Sequence, residues 1–231
     1  MPNLSLYADF TWTKGVYLTN FLNLNRGDRG GLFSPQLGDV FLTRSRSNSL
    51  YRGLTIGARK RLSNRFQFDA NYVYSSDWDT DSNERDPFND FSGPGTPAQP
   101  YVARLDYAHS NRHIPHKFNM YTTAYLPLGF EGSVRFQARS SQPNAIPRTA
   151  TTARNVGEKG NDYSSLDWRL SRPIKFTERY QLIPTVEMFN TLNSDNNVNT
   201  LSAPPLFDFN GFLRVGVGDP RQVQLSLKFK F

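Results

Sequence analysis

Apolar and polar side chains alternate along eight segments of the chain, although only weakly in residues 116–127. Successive side chains of a β-strand point to opposite faces, so a period of two predicts extended strands with two unlike faces. The last segment shows this most clearly, because Gln224, Ser226, Lys228 and Lys230 alternate with apolar residues. Those apolar residues are Val223, Leu225, Leu227, Phe229 and Phe231. The pattern predicts strands over residues 3–17, 48–61, 65–78, 116–127, 131–141, 162–174, 179–190 and 220–231.

The links between these segments alternate in length. Three are short, at residues 62–64, 127–130 and 175–178, and the others are long and polar, at 18–47, 79–115, 142–161 and 191–219. Strict alternation indicates antiparallel meander pairing with all long loops at one end, which is the plan of a transmembrane β-barrel. Globular domains rarely carry several structureless loops longer than about 15 residues.

Two environments could produce such strands. A soluble sheet with one solvated face is the first, and a wall with lipid outside and water inside is the second. The segments are long enough for tilted membrane strands, which need about 9–11 residues, whereas globular strands average nearer five or six. Aromatic residues also fall near strand ends, where a membrane interface favours them. These are Trp12, Tyr72, Tyr74, Trp78 and Tyr101.

The fold predicted is therefore all-β: an antiparallel up-and-down transmembrane β-barrel segment of about eight strands, with short turns at one end and long loops at the other. Aromatic residues make up 14% of the chain, which argues against disorder. The net charge is +7, from 27 basic and 20 acidic residues, but the basic residues are dispersed, so no nucleic-acid partner is expected. No apolar run approaches the 18 residues of a transmembrane helix.

Four stretches resemble the C-terminal barrel of TonB-dependent receptors, especially the Oar-like group. They are NSLYRGLTIGARKRLSNRFQFDANYVYSSDWD at 48–79, RHIPHKFNMYTTAYLPLG at 112–129, VEMFNTLNS at 186–194 and GDPRQVQLSLKFKF at 218–231. The resemblance implies a Gram-negative outer-membrane location and import of a ligand, without enzymatic activity. It implies a barrel of about 22 strands closed by a plug domain.

On this resemblance, residues 1–231 are the C-terminal portion of the barrel, and the plug domain and N-terminal barrel strands are absent. The plug and TonB are then partners of the intact parent only. Residues 1–12 also lack the basic and apolar regions of a secretory signal, as expected of a fragment. The alternating residues Val223, Leu225, Leu227, Phe229 and Phe231 resemble the C-terminal signal read by the barrel assembly machinery, which adds an alternating strand to an exposed edge.

Charged residues on the polar faces of the strands are expected to line the lumen. These are Arg135, Arg139, Asp167, Arg169, Glu187, Lys228 and Lys230. Asp167 and Glu187 could in principle act as a catalytic carboxylate pair, but pairing with Arg135, Arg139 and Arg169 in a ladder across strands is the expected arrangement. No nucleophile elbow, zinc-protease or phosphate-loop motif is present, so no catalytic residue and no cofactor are expected.

Two segments have a faint metal-site character. His113 and His116 flank Pro115 and are expected to lie, with His109, in a surface loop rather than around a metal. An acidic segment is expected to be a solvated outer loop, with contact to lipopolysaccharide through metal ions as the alternative. Its residues are Asp77, Asp79, Asp81, Glu84, Asp86 and Asp90.

Two other functions remain open from the sequence. The chain could be a complete eight-stranded barrel with a structural or adhesion role, whose interior would be just filled by side chains. It could also be a soluble β-domain that binds polysaccharide. An upstream plug in the same reading frame favours the receptor, and purification without detergent favours the soluble domain.

Overall fold

The computed structural model describes residues 3–25, 33–38, 40–80, 103–144, 151–196, 206–207, 213–214 and 220–231. The described structure is almost entirely β. Its strands are β1 (Leu4–Asn23), β2 (Phe41–Ser63), β3 (Phe66–Asp79), β4 (Ala108–His109), β5 (His116–Tyr125), β6 (Glu131–Arg139), β7 (Tyr163–Ser171), β8 (Ile174–Lys175), β9 (Gln181–Phe189), β10 (Leu206–Phe207), β11 (Leu213–Arg214) and β12 (Gln222–Lys230). A short helix, α1 (Ala103–Asp106), and one 3₁₀ turn, Pro127–Gly129, complete it.

The long strands form one antiparallel sheet in the order β1-β2-β3-β5-β6-β7-β9-β12. The short strand β4 pairs with β3 and β8 pairs with β9, while β10 and β11 pair with each other apart from this sheet. Neighbours in the sheet are neighbours in the chain, apart from the short strands between them, which is the up-and-down meander that the alternating links predict. Along this path β1 and β12 are the two edges.

Tight turns join the strands at one end of the sheet. Between β2 and β3, Asn64 and Arg65 have φ values of 49° and 67°, the two positive φ angles of a type I′ hairpin turn. Between β5 and β6, Leu128 and Gly129 also have positive φ, at 60° and 78°. The turn before β9 is closed by the Thr177 side chain, whose Oγ1 accepts the Tyr180 amide at 3.0 Å. The short connections thus lie where the sequence predicts them, although the first centres on residues 64–65 rather than 62–64.

The first hairpin is much longer than predicted. The prediction ended the first strand at residue 17 and began the second at 48, whereas β1 runs on to Asn23 and β2 begins at Phe41. The register shifts between Gly15 and Leu18 and again between Leu18 and Thr19, and Tyr17 has a positive φ of 58°. This irregularity breaks the period of two, so the alternation in the sequence ends before the strand does.

Pro184 lies inside β9, where it cannot donate a ladder hydrogen bond. The β9–β12 register passes through Pro184 opposite Leu227 without a shift, so no β-bulge accommodates the proline there. On its other side Pro184 faces the gap between β7 and β8, where Arg172 donates its amide to the Pro184 carbonyl at 3.2 Å. The missing donor therefore falls where the neighbouring strand is itself interrupted, at Pro173.

The described residues contain almost no hydrophobic core. Leu105 and Ala108, both in the loop end of the molecule, are the buried apolar residues among them. Buried polar residues are far more numerous, and large apolar side chains such as Leu6 and Leu225 are 77% and 75% exposed. A water-soluble domain buries apolar groups and exposes polar ones, so this inversion identifies a wall whose apolar side needs another solvent. None of the described helices has the length and apolar character to span a membrane.

Candidate functional site

Cross-strand register aligns like side chains into two continuous faces. The apolar face carries the even-numbered residues of β3 and β5 to β9, the even-numbered residues of β1 up to Lys14 and of β2 from Leu50, and the odd-numbered residues of β12. Along one row, for example, Phe10 pairs with Leu54 and Leu54 with Tyr74. Each long strand of the sheet contributes apolar side chains to this face. A shift of the register by one residue would turn the apolar side chains of a strand to the other face, so the alignment fixes the register. The exposed apolar surface is thus a single sheet-wide feature.

Aromatic residues bound the apolar face at both ends. At the loop end, Trp12 of β1 is in register with Arg52 of β2. Trp78 of β3 is in register with Leu50, which follows Arg52 on the same face of β2 toward the loop end. At the turn end, Tyr180 stacks on Phe229 with ring centroids 5.9 Å apart, and Phe229 stacks on Phe231 at 6.1 Å. Ten residues of tilted strand separate Phe66 from Ser76, which is about 25 Å along the normal and matches the apolar band of an outer-membrane barrel.

The polar face carries side chains that bond to one another across strands. Arg59 of β2 contacts Asp69 of β3, Nε to Oδ2, at 2.5 Å. Asn119 of β5 donates to Asn71 of β3 at 3.1 Å, and Gln137 of β6 donates to Asn119 at 3.3 Å. Cross-strand pairs of this kind stabilise one register against its neighbours.

The same network continues through the sequence-predicted charged residues. Arg135 of β6 is in register with Asp167 of β7 and donates Nε to its Oδ2 at 2.8 Å. Arg169 of β7 is in register with Glu187 of β9, with Nε 3.8 Å from Oε1. Arg139 is in register with Lys117 and Tyr163. Each of the two carboxylates therefore has an arginine partner, as a ladder requires and a catalytic pair does not.

Lys228 and Lys230 lie on the polar face of the edge strand β12, in register with Ile183 and Gln181. They are exposed, as are the five apolar residues that alternate with them at the C-terminus.

Asp167 is the most heavily bonded member of the polar face. The residue is 6% exposed. Its Oδ1 accepts the Ser165 hydroxyl at 2.7 Å and the Asn190 amide at 2.8 Å, while Oδ2 accepts Arg135. A carboxylate can accept several bonds at once, and here it joins two strands to the start of the loop after β9.

Asp167→Ala should destabilise the folded barrel by about 2 kcal/mol, because a buried charge-assisted network loses its acceptor and leaves its donors unmatched. The measurement is the urea midpoint of unfolding in phospholipid vesicles. Asp69→Ala is the matched control: its partner Arg59 has a side chain 62% exposed, so that change should cost at most about 1 kcal/mol. Equal costs for the two variants would contradict the assignment of Asp167 as a structural hub.

Beyond the strands, residues 103–114, 141–144 and 151–162 form a polar cap. Arg154 is 2% exposed and donates Nε to the Asp106 carbonyl at 2.7 Å, and its Nη2 pairs with the carboxylate of Asp79. Asn161 accepts the Gln142 amide at 2.9 Å, which ties the loop after β6 to the start of β7. These contacts border an open cavity of about 490 Å³ whose lining includes Trp78, His113 and Asn155.

The histidines belong to this cap and to an aromatic stack. Trp78 lies 4.2 Å from His109, and His109 stacks on His113 at 4.1 Å, centroid to centroid. His116 begins β5, where its Nδ1 lies 2.6 Å from the Tyr72 hydroxyl. In the part of the chain that the structure describes, no three histidine or acidic side chains are grouped as a metal would require. Of the acidic segment, Asp77 and Asp79 end β3, and Asp81, Glu84, Asp86 and Asp90, like Tyr101, lie outside the described residues.

His113 should remain neutral well below the pH at which histidine normally titrates. Burial, with the nearby His109 and His116, lowers the pKa of His113 from 6.5 to about 4. Its Nδ1 accepts the Asp77 amide at 3.2 Å, which a proton there would prevent. Because the folded pKa is the lower one, the cap keeps its full stability above pH 6.5 and loses it as pH falls toward 4. An NMR titration of the His113 ring proton checks this, and a midpoint near 6.5 would contradict it.

Sequence reasoning did not find two groups that organise the wall and its cap. One is Arg154, whose partners Asp79 and Asp106 lie 75 and 48 residues away. The other is Lys60, an apolar-face residue that is only 3% exposed. Its ammonium bonds the Ser63 and Phe66 carbonyls at 2.6 and 2.9 Å and lies 3.7 Å from the Phe66 ring centroid. The position of Lys60 next to the Asn64 turn was the sequence feature that could have indicated its bonds to the turn carbonyls.

Two solved structures share this architecture. The outer membrane transporter YddB from Escherichia coli superposes with a TM-score of 0.59 and 12% identity, over 100% of this chain and 30% of that one. The ferric-catecholate import receptor Fiu from E. coli K12, in its closed form, gives a TM-score of 0.57 and 13% identity, over 99% of this chain and 25% of that one. The chain thus spans less than a third of either protein, and at these identities the likeness shows the fold. No curated protein matches the sequence.

A family model described as an outer membrane beta barrel domain matches residues 6–140, more than half of the chain. That range covers nearly all of β1 and the whole of β2 to β6. Together with the transporter and receptor folds, it confirms the resemblance to outer-membrane receptor barrels and the location in the cell outer membrane. The chain belongs to the outer membrane β-barrel domain family.

Proposed function

We propose that this chain is the C-terminal wall of a TonB-dependent receptor whose intact form imports a ligand across the outer membrane. The observation that carries the proposal is the polar face, which is continuous over β2, β3, β5, β6, β7 and β9 and bonded to itself from strand to strand. A wall with lipid on one side needs such a face only if the other side meets water or a polar plug. The similar structures include a transporter and an import receptor, which fits this role.

The open sheet favours a larger barrel over a closed eight-stranded one. In hydrocarbon every backbone amide must be paired within the protein, yet β1 and β12 end the hydrogen-bonded path. Further strands joining these two edges would satisfy them, as in receptors with about 22 strands. Residues 1–231 would then be one part of the barrel, and the plug and the remaining strands would come from the rest of the parent.

In this arrangement the polar face is the surface that a plug or a passing ligand meets. Two of its arginines are matched with carboxylates, Arg135 with Asp167 and Arg169 with Glu187. Matched pairs leave the wall polar but close to neutral, so a plug can slide along it without a large electrostatic penalty. Lys228 and Lys230 add positive charge near the turn end, close to where β12 finishes. Binding and transport, without catalysis, are the chemistry that such a surface supports.

Photo-crosslinking in the intact parent protein tests this role. A benzophenone amino acid at Asn119, on the polar face, should crosslink to a plug segment of the same polypeptide, identified by mass spectrometry. The same group at the neighbouring Phe118, on the apolar face, should crosslink to lipid. Pull-down of the parent by the C-terminal domain of TonB should accompany the plug crosslink. A polypeptide with no plug segment and no retention by TonB would contradict the proposal.

A further inference from the structure

The apolar face carries charge of only one sign. Among the described residues that regular register places on this face, there are three charged side chains, Lys14, Arg52 and Lys60, and no carboxylate. By contrast the polar face mixes both signs, as in Arg59 with Asp69. Unbalanced cations on a lipid-facing surface are costly unless they serve a ligand or lie at an interface.

The three cations lie at two different heights. Lys60 lies beside the Asn64–Arg65 turn, where its ammonium is bonded to the turn carbonyls. Lys14 and Arg52 lie at the opposite, loop end, and both are exposed. Lys14 is in register with Leu50, and Arg52 is in register with Trp12. Lys14 and Arg52 are therefore diagonal neighbours on adjacent strands, a relation that separates their Cα atoms by about 7–8 Å.

The level of these two cations coincides with the outer leaflet headgroups. Arg52 is in register with Ser76, which lies about 25 Å above the turn end of β3, the full height of the apolar band. Trp12 and Trp78 lie in the same rows, where amphipathic rings mark a membrane interface. Leu50, Arg52, Trp78 and Tyr107 line a shallow cavity of about 300 Å³ on this surface. Between these two cations and Lys60, β1 and β2 present only apolar residues on this face, as acyl chains require.

We propose that Lys14 and Arg52 form a binding site for the phosphate groups of lipopolysaccharide in the outer leaflet. Arginine recognises a phosphate with two parallel hydrogen bonds, and lysine adds a point charge. A diphosphorylated lipid whose acyl chains lie against Phe10 and Leu54 would place its phosphates at this level, and among the described residues no carboxylate lies on the apolar face beside them. Arg44 and Arg46 follow on β2 above the register irregularity and extend the basic strand outward.

The site differs from contact through the acidic loop, which would need bridging metal ions. A chelator distinguishes the two mechanisms. EDTA removes the bridging ions and should abolish binding through the acidic loop, whereas binding by Lys14 and Arg52 should be unchanged. The proposal depends on the outer-membrane location of the wall and not on ligand import, so either can fail without the other.

The test measures binding of diphosphoryl lipid A to the full-length barrel in detergent with EDTA, by native mass spectrometry. The double variant Lys14→Gln/Arg52→Gln should bind at least about tenfold more weakly, since it loses the charge-assisted bonds to phosphate. The matched control, Lys117→Gln/Lys228→Gln, removes the same charge from the polar face and should bind as the unsubstituted barrel does. Heat-modifiable migration on a gel verifies that each variant is folded.

Two further arms make the outcome decisive. Arg52→Lys keeps the charge but loses the two-pronged geometry, so it should bind with intermediate affinity. Phosphatidylcholine, whose phosphate is neutralised by its own choline, should compete poorly with lipid A. Equal affinity of the double variant and the unsubstituted barrel, or equal binding of phosphatidylcholine and lipid A, would overturn the proposal.

Discussion

Ile56→Arg should lower the free energy of unfolding of the barrel by about 2–4 kcal/mol, the cost of an arginine facing lipid near the bilayer midplane. Ile56 lies on the apolar face, in register with Ala8 and Tyr72, and it is 47% exposed. Its row is close to midway between the turn end and the aromatic row at Trp12, so the guanidinium cannot easily reach either interface. Equilibrium unfolding by urea in phospholipid vesicles measures the change.

Thr55→Arg is the control for this substitution. Thr55 is the adjacent residue at the same height, but it lies on the polar face in register with Asp9, which can pair with a new arginine. A polar, hydrated surface accepts a charge, so this variant should differ from the unsubstituted barrel by no more than about 0.5 kcal/mol. If Thr55→Arg were as damaging as Ile56→Arg, or if both were harmless, the apolar face would not be in contact with lipid.

Phe229→Ser/Phe231→Ser should remove about 3–6 kcal/mol of apolar transfer energy from the last strand, taking 1.5–3 kcal/mol for each aromatic side chain. The two rings stack 6.1 Å apart and are 53% and 83% exposed in the chain, so lipid supplies their burial. The same two residues are the end of the proposed assembly signal, and an edge strand that lacks them should add poorly to the assembly machinery. We expect the polypeptide to accumulate in the periplasm, measured by protease sensitivity and by cell fractionation.

Lys228→Ser/Lys230→Ser changes the alternate residues of the same strand and is the comparison. These lysines lie on the polar face, so outer-membrane insertion should remain close to that of the unsubstituted protein. A similar loss of insertion in both double variants would mean that strand β12 is sensitive to any change, and the face-specific interpretation would be wrong.

The period of two predicted most of the sheet because it reflects a physical contrast between solvents. Strand β3 was predicted over 65–78 and is found at Phe66–Asp79, since lipid and a polar interior select its alternate residues. The register follows from the same contrast, because a slip by one residue would bring Arg135 and Asp167 into the lipid. Even the weakly patterned segment at 116–127 became β5, held between two strongly patterned neighbours.

The parts that sequence could not predict lie where that contrast ends. Beyond Gly15 in β1 and before Ser49 in β2, strand continues for several residues without a clean alternation. A hairpin that rises above the membrane has water on both sides, so neither face selects apolar residues and the pattern fades. The cap is a second case, because Arg154 reaches Asp79 across 75 residues and no local pattern marks the pair.

A spin-label scan of β3 tests most directly whether lipid lies against the apolar face. The chain has no cysteine, so single cysteines can be placed one at a time from Phe66 to Trp78 in the full-length barrel, reconstituted in vesicles. Labels at even positions, such as Phe68 and Tyr72, should collide readily with oxygen, which concentrates in the bilayer. Labels at odd positions, such as Asp69 and Asn71, should respond to a water-soluble nickel complex or be shielded by a plug. Equal accessibility to oxygen at odd and even positions would contradict the assignment of this chain as a membrane-spanning wall.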